Sequence, residues 1–239
     1  MNKKIFNSLA VATTLAGVIA TAGTASAASL TKTATFTAST GDFQFTDFDQ
    51  TLSIKKFDSS LGKLQKVTLD FLGEIKGDGK FENRSASSAS ITVNLGGFLS
   101  LDQTQLGVPP LLPVTPKTVI TYNVAKFDGK TDYAGPSGRT FTGLSASQAG
   151  SRVFTDLASL NVFTGTGNLD FLFTALADSI VSGSGNMSYE LNTLARGSVA
   201  VTYEYKTTPE PSVVIGMGVF AGLGMLSNRK KQLLKWAKS

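Results

Sequence analysis

The chain has 239 residues, no cysteine and no histidine, 22 basic and 17 acidic side chains, and a formal charge of +5. Those two absences exclude disulfides, His- or Cys-ligated zinc and copper, and Ser–His or Cys–His nucleophilic chemistry. The charge is uneven: residues 28–208 hold 15 basic and 16 acidic side chains, so the excess sits at the two ends and the usual electrostatic argument for nucleic-acid binding is gone.

Met1-Asn2-Lys3-Lys4 precedes an apolar run from Leu9 to Ala22, and the stretch closes on Ala25-Ser26-Ala27. A positive start, a short apolar segment and an A-x-A site make a secretory signal peptide over residues 1–27. Signal peptidase is expected to act at Ala25, Ala27 and Ala28, leaving Ala28 as the mature N-terminus. The run falls short of the ~20 residues that a membrane span needs. No cysteine follows it to take a lipid.

Residues 28–206 form the body, and period-2 alternation runs through it. Strands are expected at residues 31–38, 52–55, 64–75, 89–95, 118–124, 169–174, 187–191 and 198–205. In the last, Val199, Val201, Tyr203 and Tyr205 take one face; Ala200, Thr202, Glu204 and Lys206 take the other. One helix is expected at residues 151–160. Short strands between Gly, Ser, Asn and Asp turns predict an all-β fold: a single antiparallel β-sandwich, jelly-roll-like, with one wet face. Residues 107–116 carry four prolines and cannot donate a full ladder; their Leu and Val side chains predict a segment pinned across the sandwich. Residues 85–90 are a Ser/Ala-rich turn or edge, and no internal repeat is present.

Candidate ligand sites are sparse. Asp128 and Asp132, with nearby carbonyls, offer oxygen ligands for calcium in a Gly-containing loop; an ordinary turn explains the same residues. Asp42, Asp47 and Asp49 form a second acidic group, otherwise solvated turn residues. Tyr122, Tyr133, Tyr189, Tyr203 and Tyr205 make a sugar-stacking platform only if they share an exposed face; otherwise they are core and cross-strand partners. A glycosidase needs two carboxylates about 5–9 Å apart, and the sequence singles out no such pair. Asn83-Arg84-Ser85 and Asn186-Met187-Ser188 match the glycosylation sequon. Gly165-Thr166-Gly167 and Gly183-Ser184-Gly185 lack a following helical pattern and are turns, not nucleotide loops. The expectation is therefore no catalytic residue and no cofactor site.

Residues 207–239 form a tail. Pro209-Glu210-Pro211 is followed by an uncharged run from Val213 to Leu226 and then by Arg229-Lys230-Lys231. Gly216, Gly218, Gly222 and Gly224 suit close packing against another membrane helix. The basic cluster suits a cytoplasmic stop, with the body outside and Trp236 at the interface. The order of Pro209-Glu210-Pro211, apolar span and Arg229-Lys230-Lys231 resembles the PEP-CTERM sorting domain. That resemblance implies an exosortase as processing enzyme and Pro209, Glu210 and Pro211 as its substrate site. It also implies export to the envelope, surface or extracellular matrix of a Gram-negative-type bacterium, in company with exopolysaccharide.

Phe57-Asp58-Ser59-Ser60-Leu61-Gly62-Lys63-Leu64, followed by Val67-Thr68-Leu69, resembles the opening of the choice-of-anchor E domain. Phe127-Asp128-Gly129, the stretch from Asp132 to Gly138 and the closing stretch from Val199 to Tyr205 fit the same family. It implies a surface domain with no agreed biochemical activity. The function expected from these readings is a structural or adhesive surface component, not an enzyme. A carbohydrate-binding module is the alternative, and a glycan hydrolase the third reading.

Overall fold

The computed structural model describes residues 30–207. The expected signal peptide and tail, with the two flanking helices, lie outside them. Among the described residues no helix is long and apolar enough to cross a membrane.

The described chain is all-β apart from one short helix and a 3-10 turn. In order the elements are β1 (Thr31–Ser39), β2 (Gln44–Phe45), β3 (Phe48–Lys55), β4 (Lys63–Asn83), β5 (Ala89–Asp102), β6 (Leu112–Val114), β7 (Lys117–Val124), β8 (Gly138–Phe154), α1 (Leu157–Phe163), β9 (Asn168–Ala177), β10 (Ile180–Ser182) and β11 (Met187–Lys206). They build two antiparallel sheets packed as a sandwich. The first runs β1-β11-β4-β8, with β2 also on β11. The second runs β10-β5-β9-β3, with β6 and β7 on the other edge of β5. Both neighbouring lines of the second sheet, β6–β7 and β9–β10, break opposite Gly96 and Gly97. There Asp178 donates its N–H to the Gly96 carbonyl, and Gly97 donates to Pro116.

Alternation decides which face is dry. Val199, Val201, Tyr203 and Tyr205 of β11 are buried, as are Val67, Leu69, Phe71 and Ile75 of β4. Leu52 and Ile54 of β3, Leu99 and Leu101 of β5, and Phe171 and Phe173 of β9 complete the main core from the second sheet. Tyr203 sits among Phe36, Phe57 and Phe163, with ring centroids 5.8, 5.8 and 6.2 Å away. A smaller core of Phe81, Ile91, Val93, Phe141 and Val181 lies toward the other end. Among the described residues every strand pairing and both cores close within residues 31–206, so this segment folds as a unit.

The proline-rich segment is pinned as expected. Leu111, Leu112 and Val114 are buried, β6 pairs with residues 99–101, and Leu111 donates its N–H to Asp102 Oδ1 at 2.7 Å. Three expectations need correction, and one strand was not foreseen. The helix is not at residues 151–160: Ser151 to Phe154 finish β8, and α1 begins after Asp156, whose carboxylate accepts the Ser159 N–H at 2.9 Å as an N-cap. Residues 187–191 and 198–205 belong to one strand of 20 residues. The strands begun at 64 and 89 run on to Asn83 and Asp102. Finally, the 17-residue β8 escaped the alternation test altogether.

Tyr203 donates its hydroxyl to the Lys55 carbonyl at 2.8 Å. Tyr203→Phe strands that acceptor and is expected to cost about 1–2 kcal/mol in urea unfolding at pH 7. Burial also pushes the Tyr203 phenol above its ordinary value of 10.0. The unfolded chain therefore ionises first, so stability that is full below pH 10 falls as pH rises beyond it. Unfolding midpoints from pH 8 to 11 should show that fall in the parent protein and a smaller one in the Phe variant.

Candidate functional site

The outer face of the first sheet carries a shallow groove of about 340 Å³. Register explains it. Three rows of side chains cross the four strands: Thr35, Thr202, Thr68 and Val153; Thr37, Ala200, Asp70 and Ser151; Ser39, Ser198, Leu72 and Ala149. On β11 and β4 these residues alternate with buried ones, and the register places their β1 and β8 partners on the same outward face. Nearly all are small, which leaves a trough where larger outward side chains would fill the face. Thr35 and Thr202 share a hydroxyl hydrogen bond at 2.9 Å, and Ser151 donates to Asp70 Oδ1 at 2.6 Å.

Ion pairs mark both ends of the trough. Lys66 Nζ lies 2.7 Å from Glu204 at one end. At the other, Arg196 meets Glu74 through two parallel hydrogen bonds of 2.6 and 3.0 Å. The Phe43 ring stacks on that guanidinium at 4.6 Å. The trough presents mostly apolar surface, from residues such as Leu72, Ala149 and Ala200, with Thr37, Asp70, Ser151 and Ser198 as its polar lining residues. Asp70 is the sole carboxylate among its lining residues. Such a surface can hydrogen-bond a hydroxylated chain laid along it; it lacks the second carboxylate that glycoside hydrolysis needs. Sequence reading passed over Thr37, Asp70, Ser151 and Ser198. The signal was available in the Thr-x-Thr-x-Thr-x-Thr of β1, whose polar row is the wet half of an alternating strand.

The acidic candidates are scattered. Asp128 and Asp132 share the loop between β7 and β8, yet each carboxylate caps its own turn. Asp128 Oδ1 accepts the Lys130 N–H at 3.0 Å, and Asp132 Oδ1 accepts the Ala134 N–H at 3.1 Å. Asp49 accepts the Thr174 hydroxyl at 2.6 Å, and Asp47 accepts the Ala177 N–H at 3.4 Å. Among the described residues no three acidic side chains come together as a metal site. Glu82 lies buried beneath the same loop, with Oε2 accepting the Tyr133 N–H at 2.8 Å and Oε1 without a hydrogen-bond partner.

The five tyrosines form no shared exposed platform. Tyr203 and Tyr205 are in the core. Tyr122 packs on Phe81 and Phe141. Tyr133 lies over Lys80 and bonds Ser188 at 3.1 Å. Tyr189 is half exposed. Ala25, Ala27, Ala28, Pro209, Glu210, Pro211, Arg229, Lys230 and Lys231 lie outside the described residues.

Asn83, the first sequon residue, is fully buried. Its Nδ2 donates to the carbonyls of Ser87 and Ala125 at 2.9 and 2.8 Å. Its Oδ1 accepts from the Ser85 N–H at 3.1 Å and the Ser184 hydroxyl at 2.8 Å. With the amide wholly engaged it cannot carry a glycan. It ties together the three loops of the end remote from Thr207.

No protein family and no curated protein matches this chain. Two virus structures show a faint likeness. One is of the T13 IBDV viral particle: 13% identical, covering 77% of this chain and 41% of the viral one, with a TM-score of 0.20. The other is of the infectious bursal disease virus Gx strain: 14% identical, covering 83% and 47%, again at 0.20. This chain spans less than half the length of either viral chain. At that score the likeness supports no inference.

Asn83→Ala removes four hydrogen bonds and leaves buried partners unmet. It is expected to cost about 2–4 kcal/mol. Hydrogen exchange should rise first in residues 84–88, 125–137 and 183–186, while amides near Tyr203 stay protected.

Proposed function

We propose that this protein is an exported, non-catalytic surface or matrix component: a jelly-roll-like body between a cleaved signal helix and a PEP-CTERM-type membrane tail. The observation that carries the reading is the position of the two ends. β1 and β11 are antiparallel neighbours, and Thr207 donates its N–H to the Leu30 carbonyl at 3.0 Å. Signal and tail therefore join the body at one end. A tail held in a membrane, or a cut end attached to a surface, leaves the rest of the sandwich projecting. β11 spans 20 residues, about 65 Å at ~3.3 Å each. A stiff spacer with buried aromatics and a small-residue polar face suits a structural role, and a single carboxylate in the groove argues against hydrolysis.

The intact mass of the protein recovered from its native envelope and medium tests this. A chain beginning at Ala28 and ending near Pro209–Pro211 is expected, with any added mass reporting covalent attachment. A mass running from Ala28 to Ser239 would sink the exosortase reading and leave a permanent anchor.

The groove's small apolar floor, flanked by the hydroxyls of Ser151 and Ser198 and the Asp70 carboxylate, favours a second reading, in which an extended exopolysaccharide strand lies along it. Ala200→Trp fills the middle row. Under this reading it lowers affinity for the native polysaccharide at least tenfold in a pull-down titration, with an unchanged urea midpoint. Equal binding by both proteins would leave only the structural role.

A further inference from the structure

The body's charge is not spread evenly. Residues 28–208 sum to −1, yet the end from which the tail departs is basic. Six lysines gather on its strand ends and turns: Lys32 on β1, Lys55 and Lys56 at the end of β3, Lys63 and Lys66 at the start of β4, and Lys206 at the end of β11. Four acids lie there, Asp58, Asp156, Asp170 and Glu204, leaving this end at +2 and the rest of the body at −3.

Three of the four acids engage their carboxylates in capping or hydroxyl hydrogen bonds and form no ion pair with the lysines, although the Ser60 hydrogen bonds, helped by the nearby Lys55, hold the Asp58 carboxyl below its usual value. Asp58 accepts the Ser60 N–H at 2.9 Å and caps the 3-10 turn Ser59–Leu61. Asp156 caps α1. Asp170 accepts the Ser53 hydroxyl at 2.6 Å. The fourth, Glu204, pairs with Lys66. Lys55, Lys63 and Lys206 are exposed and make no ion pair among the described residues. Two apolar side chains stand out on the turn and helix that close this end: Leu61 is 48% exposed and Leu157 is 73% exposed. Basic side chains around exposed leucines match the boundary of an anionic bilayer, where charge meets headgroups and leucine enters the acyl edge.

The chain's own path brings a bilayer there. Five residues separate Thr207 from Val213, the first residue of the apolar run, and at ~3.3–3.6 Å each they span about 20 Å at most. We infer that this end, through Lys55, Lys63, Lys206, Leu61 and Leu157, is a docking face for anionic phospholipid headgroups. It holds the sandwich upright on the membrane while the tail is processed. The inference rests on the reading that the tail enters a membrane, but the face itself is testable without the tail.

The test uses residues 28–207, which contain every strand pairing and both cores of the described residues. Co-sedimentation is measured with phosphatidylcholine vesicles carrying 0 or 30 mol% phosphatidylglycerol, at 50 and 300 mM salt. The body should bind the anionic vesicles at low salt, at least tenfold more tightly than the neutral ones, and release at high salt. Lys55→Glu/Lys63→Glu/Lys206→Glu should abolish binding without moving the urea midpoint. Lys117→Glu/Lys126→Glu/Lys130→Glu, the same charge change elsewhere, should keep it. No binding by the parent body, equal capture by neutral vesicles, or retained binding by the first triple variant would overturn the docking face. Those results leave the mass of the native protein, and hence the sorting reading, to be judged separately.

Discussion

The pairing of β4 with β11 holds the rest of the molecule in place. Twenty aligned pairs run from Met187 opposite Asn83 to Lys206 opposite Lys63. β1 hangs on one edge of this ribbon and β8 on the other, while the second sheet packs on its inner face. Room for that packing is made locally. A methyl group added at Gly197 would lie 2.5 Å from the Phe173 ring, so glycine there lets an aromatic of β9 fill the middle of the ribbon. With no cysteine in the chain, this interlock supplies what a disulfide supplies in many exported domains.

A ribbon of that length has two distinct ends and a long wet face, and the three do different work. One end collects both chain exits, the aromatic cluster around Tyr203 and the lysines. The other collects loops locked by one buried amide. The face between them has an ion pair at either end and small hydroxylated side chains in the middle. That division follows from strand length alone: strands of ~5–6 residues, the usual length, would bring exits, loops and groove within reach of one another.

Strands whose large side chains face the core were legible in the sequence: β1 and β7 were found almost whole, and the first part of β9 with its buried Leu169, Phe171 and Phe173. Strands whose inner residues are small were not. The middle of β11 turns Thr193, Ala195 and Gly197 inward, because Phe173 fills that space from the opposite sheet. Without a large residue the stretch passes for a turn. β8 shows the same effect. Its residues on the side of the second sheet include Gln148, Gly150 and Arg152, none of them a large apolar side chain; Leu112 and Val114 of the proline-rich segment come against Gly150, while exposed Arg152 donates Nη1 to the Leu111 carbonyl at 3.2 Å. Periodicity records what a residue brings to a core, not what a neighbour brings to it. The groove was missed for a related reason, since a row of small wet residues becomes a site only when four strands align it.

Register is the remaining question for so long a ribbon. Slipping β11 by one residue against β4 would turn Val199, Val201 and Tyr203 to solvent, so the core forbids every odd shift. A shift by two keeps the dry face dry, and the core opposes it less. The wet face opposes it directly. Lys66–Glu204, Glu74–Arg196 and Lys80–Glu190 are each directly opposite in the ladder. Moving two residues one way sets Lys66 against Lys206, Glu74 against Ser198 and Lys80 against Asn192. Moving two the other way sets them against Thr202, Leu194 and Ser188. Surface ion pairs contribute little to stability on their own, but all three are lost together in either slip, and each slip adds like-charge contacts, Lys66–Lys206 and Lys76–Arg196 one way and Asp78–Glu190 the other. Buried alternation excludes the odd registers, and the three outer pairs with the like-charge contacts disfavour a slip of two either way; together they favour the register on which the groove and both ends depend.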